Sequence, residues 1–276
     1  MGFGDEALRR VWDEARERPA AAPRDVLRAL LSAYADRADA AAWGEKTPDH
    51  LAHVPAILND FPEAVVVAIV RDPRDVCLSL RGLPWNHDSL PESAWKWRRY
   101  AQRTERYAET FPTRFREVRY ERILEAPEPL LRDLLDWIGA PFEEGVLAFH
   151  RQEDPPVDAG REPWKEKAAR PIDPTNREKW RGRMGPAERW VVQRTAGRYL
   201  RRKGYTPEPV VLDGSFVQDL LDLGLRTVQS VGTRIRRRWQ TPSRDADDHR
   251  PTWIRRQQAA PDASDEADNP SRDAER

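Results

Sequence analysis

The stretch Ala64-Val-Val-Val-Ala-Ile-Val-Arg-Asp-Pro-Arg-Asp-Val-Cys-Leu-Ser-Leu80 decides the fold. Seven apolar residues without polar alternation end abruptly at Arg71. That pattern predicts a strand of a parallel sheet, covered on both faces. A helix start follows at once, with Asp72 as the cap and Pro73 at the first helical position. A buried strand thus delivers an arginine to the mouth of a helix N-terminus. Oriented backbone N–H groups and the helix dipole favour a phosphate there. The expected ligand is a phosphorylated small molecule.

Outward from this stretch, the apolar spacing predicts helices over residues 5–40, a short strand over 40–43 and a helix from Pro48 to Asn59. After the strand 64–70 come a helix over 73–82 ended by Gly82, a loop from Leu83, and a long amphipathic helix from Pro91 to Thr110. Arg116–Tyr120 reads as a second strand, and Pro127–Ile138 as a helix stopped by Gly139. Strand, helix, strand, helix is the order of an α/β layer fold, a parallel sheet with helices on both faces. Residues 151–178 are polar and proline-rich and read as a surface loop. A helix returns over Pro186–Lys203 and stops at Gly204, and residues 213–239 carry a further amphipathic pattern. The expected organisation is an α/β domain over 1–205, an amphipathic helical extension over 206–240 and a disordered polar tail over 241–276.

Composition narrows the function. The 276 residues suit one domain plus attachments. Lys+Arg and Asp+Glu both number 47, so no global basic field points to nucleic acid or an anionic membrane. No apolar run approaches the roughly 18 residues of a membrane span, and the N-terminus has neither the basic region nor the apolar core of a signal peptide. The single cysteine, Cys77, permits no internal disulfide and fits a reducing cytoplasm. No Cys/His cluster of metal-binding spacing is present.

Three pieces carry the chemistry. Trp43-Gly-Glu-Lys-Thr-Pro48 follows the short predicted strand, so Lys46 falls on a turn at the carboxyl edge of the sheet, where α/β proteins bind ligands. The plain alternative is an exposed lysine on a surface loop. Arg71 and Ser79 lie eight positions apart, about two helical turns, so a guanidinium and a hydroxyl can address one phosphate. The alternative pairs Arg71 with Asp75 or Glu45 and returns the Ser79 hydroxyl to a helix carbonyl. In Asn176-Arg-Glu-Lys-Trp-Arg181, an aromatic among basic residues can fold over a nucleotide and stack on its base. The alternative is a core tryptophan, one of 11 in the chain.

Glu45-Lys-Thr-Pro48, Arg71-Asp-Pro-Arg-Asp-Val-Cys-Leu-Ser-Leu80, Val118-Arg-Tyr-Glu-Arg-Ile-Leu124 and Lys179-Trp-Arg181 together closely resemble the bacterial sulfotransferase family, over roughly residues 20–205. The resemblance implies a P-loop sulfotransferase fold of three layers and 3′-phosphoadenosine 5′-phosphosulfate as donor and co-substrate, with no metal. It implies that Arg71 and Ser79 hold the 3′-phosphate and that Lys46 stabilises charge on the transferring sulfuryl group. Trp180 and Arg181 match a segment that closes over the nucleotide, and Tyr120 with Glu121 match a structural strand-end motif. The acceptor implied is a hydroxyl or amine on a small molecule, glycan, lipid or peptide.

One departure stands out. Family members carry a loop of the type Gly-x-Pro-Arg-Ser-Gly-Thr-Thr that wraps the 5′-phosphosulfate, and this sequence contains none. The sheet is then expected to lack a central strand, and the chain to bind nucleotide weakly with little transfer. A non-catalytic nucleotide-binding remnant or scaffold is the alternative function. A nucleotide kinase is disfavoured, because no Gly-x-x-x-x-Gly-Lys-Ser/Thr loop occurs. His50 and His53 are the imidazoles placed to serve as a base near Lys46, and Trp85, Asn86, Trp95 and Trp97 hint at an aromatic-lined acceptor face.

Overall fold

The computed structural model describes residues 23–84, 86–151 and 170–240, the side chains of residue 23 and of 230–240 excepted. The helix expected from residue 5, most of the loop 151–178 and the tail 241–276 fall outside the described residues. The chain divides into two compact units, Met1–Thr227 and Val228–Arg276.

Helix α1 (Pro23–Arg37) starts on a proline and carries Asp25 in its first turn and Arg37 in its last. The strand expected at 40–43 is irregular chain instead, mostly exposed, and joins no sheet among the described residues. The helix expected over 48–59 is two pieces, a 3₁₀ turn Pro48–Ala52 and α2 (Val54–Asp60). Pro55 is the reason. Its ring is tolerated only in a first helical turn, so the chain breaks at His53 and starts again.

Strand β1 (Val66–Val70) pairs in parallel with β2 (Phe115–Arg119), Val66 opposite Phe115 and Val70 opposite Arg119. The crossover between them runs through α3 (Pro73–Arg81) and α4 (Leu90–Thr110), as parallel pairing requires. The Val66 N–H donates to the Arg114 carbonyl at 2.8 Å, so even-numbered peptide groups of β1 face β2 and odd-numbered ones face away. On that outer edge the Ile69 carbonyl accepts from the Tyr100 hydroxyl at 3.1 Å and the Arg71 carbonyl from the Trp97 indole at 2.9 Å.

Ala68, Val70 and Phe115 pack into two linked clusters, one with Leu51, Val54, Leu58 and Tyr107, the other with Trp97, Ala101, Tyr199, Leu200 and Tyr205. Inward positions on α4 recur at helical spacing, Ala94, Trp97, Ala101, Thr104, and Tyr107. Its start is fixed by a capping box in which Glu92 accepts from both the N–H and the hydroxyl of Ser89, at 2.8 and 2.7 Å. The opposite face of β2 meets α6 (Pro127–Ile138), to which Arg116 donates at the Asp133 carboxylate. A short helix α5 (Tyr120–Glu125) joins β2 to α6. Cover is incomplete: Ile69, on the α6 side of β1, is 51% exposed.

Gly139 ends α6 with φ +83°, as its position predicts. The helix expected over 186–203 is two, α7 (Pro186–Ala196) and α8 (Arg198–Arg202). Gly197 separates them at φ +57°, ψ −135°, a conformation side chains rarely adopt. Helix α9 (Gly214–Gln240) follows. Within the first unit it docks on α7 through Phe216 edge-on to Trp190, through Asp219, which accepts from the Ala187 N–H at 2.9 Å, and through Arg226, 3.3 Å from Glu188. No described helix is long and apolar enough to cross a membrane.

Candidate functional site

The site begins where β1 ends. Asp72 caps α3 by accepting from the Arg74 N–H at 2.9 Å, and the same carboxylate takes the Arg74 guanidinium in a fork, 2.9 Å to Nε and 2.7 Å to Nη2. Both side chains are buried, 3% exposed for Arg74 and 8% for Asp72. The Asp72 N–H donates in turn to Glu121 at 3.0 Å, and Glu121 also accepts from the Tyr205 hydroxyl at 2.9 Å. Burial and the Glu121 charge hold that hydroxyl far above its ordinary pKa. Glu121 therefore ties strand end, helix cap and α8–α9 connection together, which agrees with its expected structural part. The positive end of α3 is accordingly met by its own carboxylates, Asp72 and Asp75. The expected Asp72 cap is thus present, and it takes the Arg74 N–H of that helix end.

Arg71 projects from the strand end and is 21% exposed. Its guanidinium lies 4.5 Å from the centre of the Tyr120 ring. Nη2 donates to the Asn176 carbonyl at 2.8 Å and sits 3.6 Å from the Asp75 carboxylate. Nε is buried without a hydrogen-bond partner among the described residues. The Asp75 pairing weighed from sequence is therefore present, and the Glu45 pairing is not. Asp75 is 1% exposed; its Oδ1 accepts from the Trp180 N–H at 3.1 Å. Burial raises its pKa above the usual carboxylate range, opposed by Arg71 and by that N–H.

The segment Asn176–Arg181 is fastened from several sides. The Asn176 side-chain amide donates to the Tyr120 hydroxyl at 2.8 Å, and Lys179 donates to the Asn176 side-chain oxygen at 2.5 Å. Glu178 sits in the left-handed region at φ +52°. Trp180 is fully buried, with the Arg74 guanidinium 3.7 Å from its ring centre. It is placed as a core tryptophan, with no ring face open for a base in this conformation. Arg181, by contrast, is about half exposed and pairs with Glu178 at 3.0 Å and with Glu208.

The other expected residues are open. Ser79 is exposed, and its hydroxyl has no hydrogen bond among the described residues. Lys46 is exposed and makes no ion pair among them. Its neighbour Glu45 accepts from the Thr47 hydroxyl at 2.6 Å and holds His50 Nδ1 at 2.6 Å. His53 sits at the break between the 3₁₀ turn and α2, so the two imidazoles share no single helix. The expected aromatic acceptor face does not form from its described members. Trp97 is buried on the Arg71 carbonyl, Asn86 donates to the Leu80 carbonyl at 3.1 Å, and Trp95 is 52% exposed with Arg99 over its ring; Trp85 lies outside the described residues. No group of three or more His, Cys, Asp or Glu able to hold a metal occurs among the described residues. The Cys77 thiol is buried and pushed up to about 12.

Sequence reasoning passed over Arg74 as a partner of Trp180 and over the Asn176 carbonyl as a partner of Arg71. Arg74 had a signal, a basic residue at the second helical position between the acidic Asp72 and Asp75. A backbone carbonyl has none.

The model of the sulfotransferase family matches residues 6–144. An uncharacterized protein of Aquifex aeolicus (strain VF5) is 28% identical over an alignment of 166 residues, which covers 54% of this chain and 22% of that protein. The chain thus spans under a quarter of the length of the curated relative it matches. Among solved structures, the sulfotransferase domain from the Synechococcus PCC 7002 olefin synthase superposes with a TM-score of 0.51 at 20% identity, covering 76% of this chain and 78% of that one. The sulfotransferase domain from the curacin biosynthetic pathway gives 0.51 at 18% identity, covering 73% and 79%. At such identities the two structures speak to the fold alone.

Proposed function

This chain belongs to the sulfotransferase family, and from that membership we propose that it binds 3′-phosphoadenosine 5′-phosphosulfate and directs the sulfuryl group to a hydroxyl or amine acceptor. Arg71 and Ser79 take the 3′-phosphate. Lys46 meets the charge that develops on the sulfuryl oxygens. Arg181 lies toward the nucleotide, and the buried Trp180 seats that segment rather than stacking on the base. The acceptor proton passes to His50, whose ring Glu45 orients through Nδ1.

The observation that carries this reading is Arg71. It stands at the carboxyl end of a parallel strand, where α/β folds bind ligands, and its Nε is buried with no partner among the described residues. A guanidinium with unspent donors suits a fixed phosphate dianion. A lysine without an ion pair, on a mobile stem, suits an oxygen whose charge changes during transfer. Sulfuryl transfer, like phosphoryl transfer, asks the protein mainly for positioned cations and N–H groups.

Titration with adenosine 3′,5′-bisphosphate tests the binding half. Arg71→Ala is expected to weaken binding about 10- to 100-fold, the scale of charge-assisted hydrogen bonds; equal affinity would remove Arg71 from the site. Movement of labelled sulfate from the donor to any acceptor separates transfer from binding alone.

A further inference from the structure

We infer that Asn176–Trp180 is a latch, held by Tyr120 and Asp75, that occupies the Arg71 fork in the absence of an anion and yields it when one arrives. This rests on the reading of Arg71 as an anion-binding residue. Three observations carry it.

The first is occupancy. The Asn176 carbonyl takes Nη2 of Arg71 at 2.8 Å, a donor that a phosphate would need. A neutral carbonyl is a weaker acceptor for a guanidinium than a charged phosphate oxygen, so the exchange runs toward the anion.

The second is how the segment is fastened. Tyr120 works with both of its ends: its ring lies under the Arg71 guanidinium at 4.5 Å, and its hydroxyl takes the Asn176 amide at 2.8 Å. Asp75 likewise addresses both parts, 3.6 Å from Arg71 and accepting the Trp180 N–H at 3.1 Å. Arginine and segment are therefore held by the same two side chains, so moving one disturbs the other.

The third is that the closed joint is under-satisfied. Arg71 Nε, Asp75 Oδ2 and Trp180 Nε1 are all buried without hydrogen-bond partners among the described residues. Buried polar groups are normally paired, so three orphans in one joint weaken the closed contact around Arg71, while the buried Trp180 ring anchors the end of the segment. Glu178, in the left-handed region at φ +52°, adds backbone strain at the centre of the segment. An arriving anion offers Arg71 Nε the partner it lacks.

The latch predicts that loosening the segment tightens anion binding. Tyr120→Phe keeps the ring beneath Arg71 and removes the acceptor of the Asn176 amide. Asn176→Ala removes the side chain that both Tyr120 and Lys179 hold. Each is expected to bind adenosine 3′,5′-bisphosphate about three- to tenfold more tightly than the parent, the scale of one hydrogen bond released from competition. In the ligand-free protein, the Trp180 amide is expected to exchange with deuterium several-fold faster in Asn176→Ala than in the parent. Affinities at or below the parent's in both variants, with Arg71→Ala still weakening binding at least tenfold, overturn the latch and leave the nucleotide reading standing. Equal exchange of the Trp180 amide also overturns the latch. No binding by the parent or either variant overturns both.

Discussion

The two ends of the candidate site differ sharply in how they are built. At the end of β1, Asp72, Arg74, Glu121 and Tyr205 form a buried chain in which each charge meets a partner at 2.7–3.0 Å. On the turn Glu45–Pro48, the charged groups are exposed, and Lys46 is tied to nothing among the described residues. The first region resists change because every member is desolvated and paired. The second has only short-range bonds between neighbours, Thr47 and His50 on Glu45. On the proposed reading, such a site would fix one part of a ligand beside a rigid base and leave the reacting part under a side chain free to follow moving charge.

The contrast can be broken by mutation. The largest effect is expected at Arg74. Arg74→Ala leaves the buried Asp72 carboxylate without its forked partner and uncovers the Trp180 ring, at a cost of about 3–5 kcal/mol. Urea unfolding measures it, and a loss below about 1 kcal/mol would mean that the strand end is no more rigid than the loop. Tyr205→Phe removes one hydrogen bond to Glu121 and is expected to cost about 1–2 kcal/mol in the same assay.

Asp75→Asn sharpens the comparison through pH. Burial holds the Asp75 carboxyl above its ordinary 3.8 in the folded chain, so the unfolded chain releases this proton first as pH rises. Asp75 therefore lowers stability progressively above about pH 3.8, and the asparagine variant does not. The variant is expected to be the more stable of the two at neutral pH and to lose that advantage near pH 3. An advantage that grows in acid would reverse the sign. The smallest effect on stability is expected at Lys46. Lys46→Ala should change unfolding by no more than about 0.5 kcal/mol while reducing sulfate transfer, so a large loss of stability would show that the loop is not the open region described.

Much of the frame was legible because its signals are local. The unbroken apolar run gave β1, Asp72-Pro73 gave the start of α3, and Gly139 gave the end of α6 where it was expected. The errors came where one residue overrides a good pattern. Pro55 splits a continuous apolar stripe, Gly197 divides the α7–α8 run, and the chain at 40–43 joins no sheet among the described residues. The candidate site was legible as residue types alone: Arg71, Ser79 and the lysine on its turn stand out in the sequence, and their roles remain the proposal made above. Their present partners do not stand out there. That Arg71 meets the Asn176 carbonyl, 105 positions away, depends on a loop path no periodicity encodes. That Trp180 lies beneath Arg74 rather than open to a ligand depends on packing between segments equally remote.

The ring donors on the outer edge of β1 have a consequence for the molecule in a crowded solution. A bare strand of five apolar residues is a template on which other chains can stack. Here the hydroxyl of Tyr100 and the indole of Trp97 already consume the Ile69 and Arg71 carbonyls. An intruding strand would have to evict both to gain those two acceptors. Two aromatic residues one turn apart on a neighbouring helix thus act as a guard against self-templating growth, and they do so while supporting the backbone from which Arg71 projects.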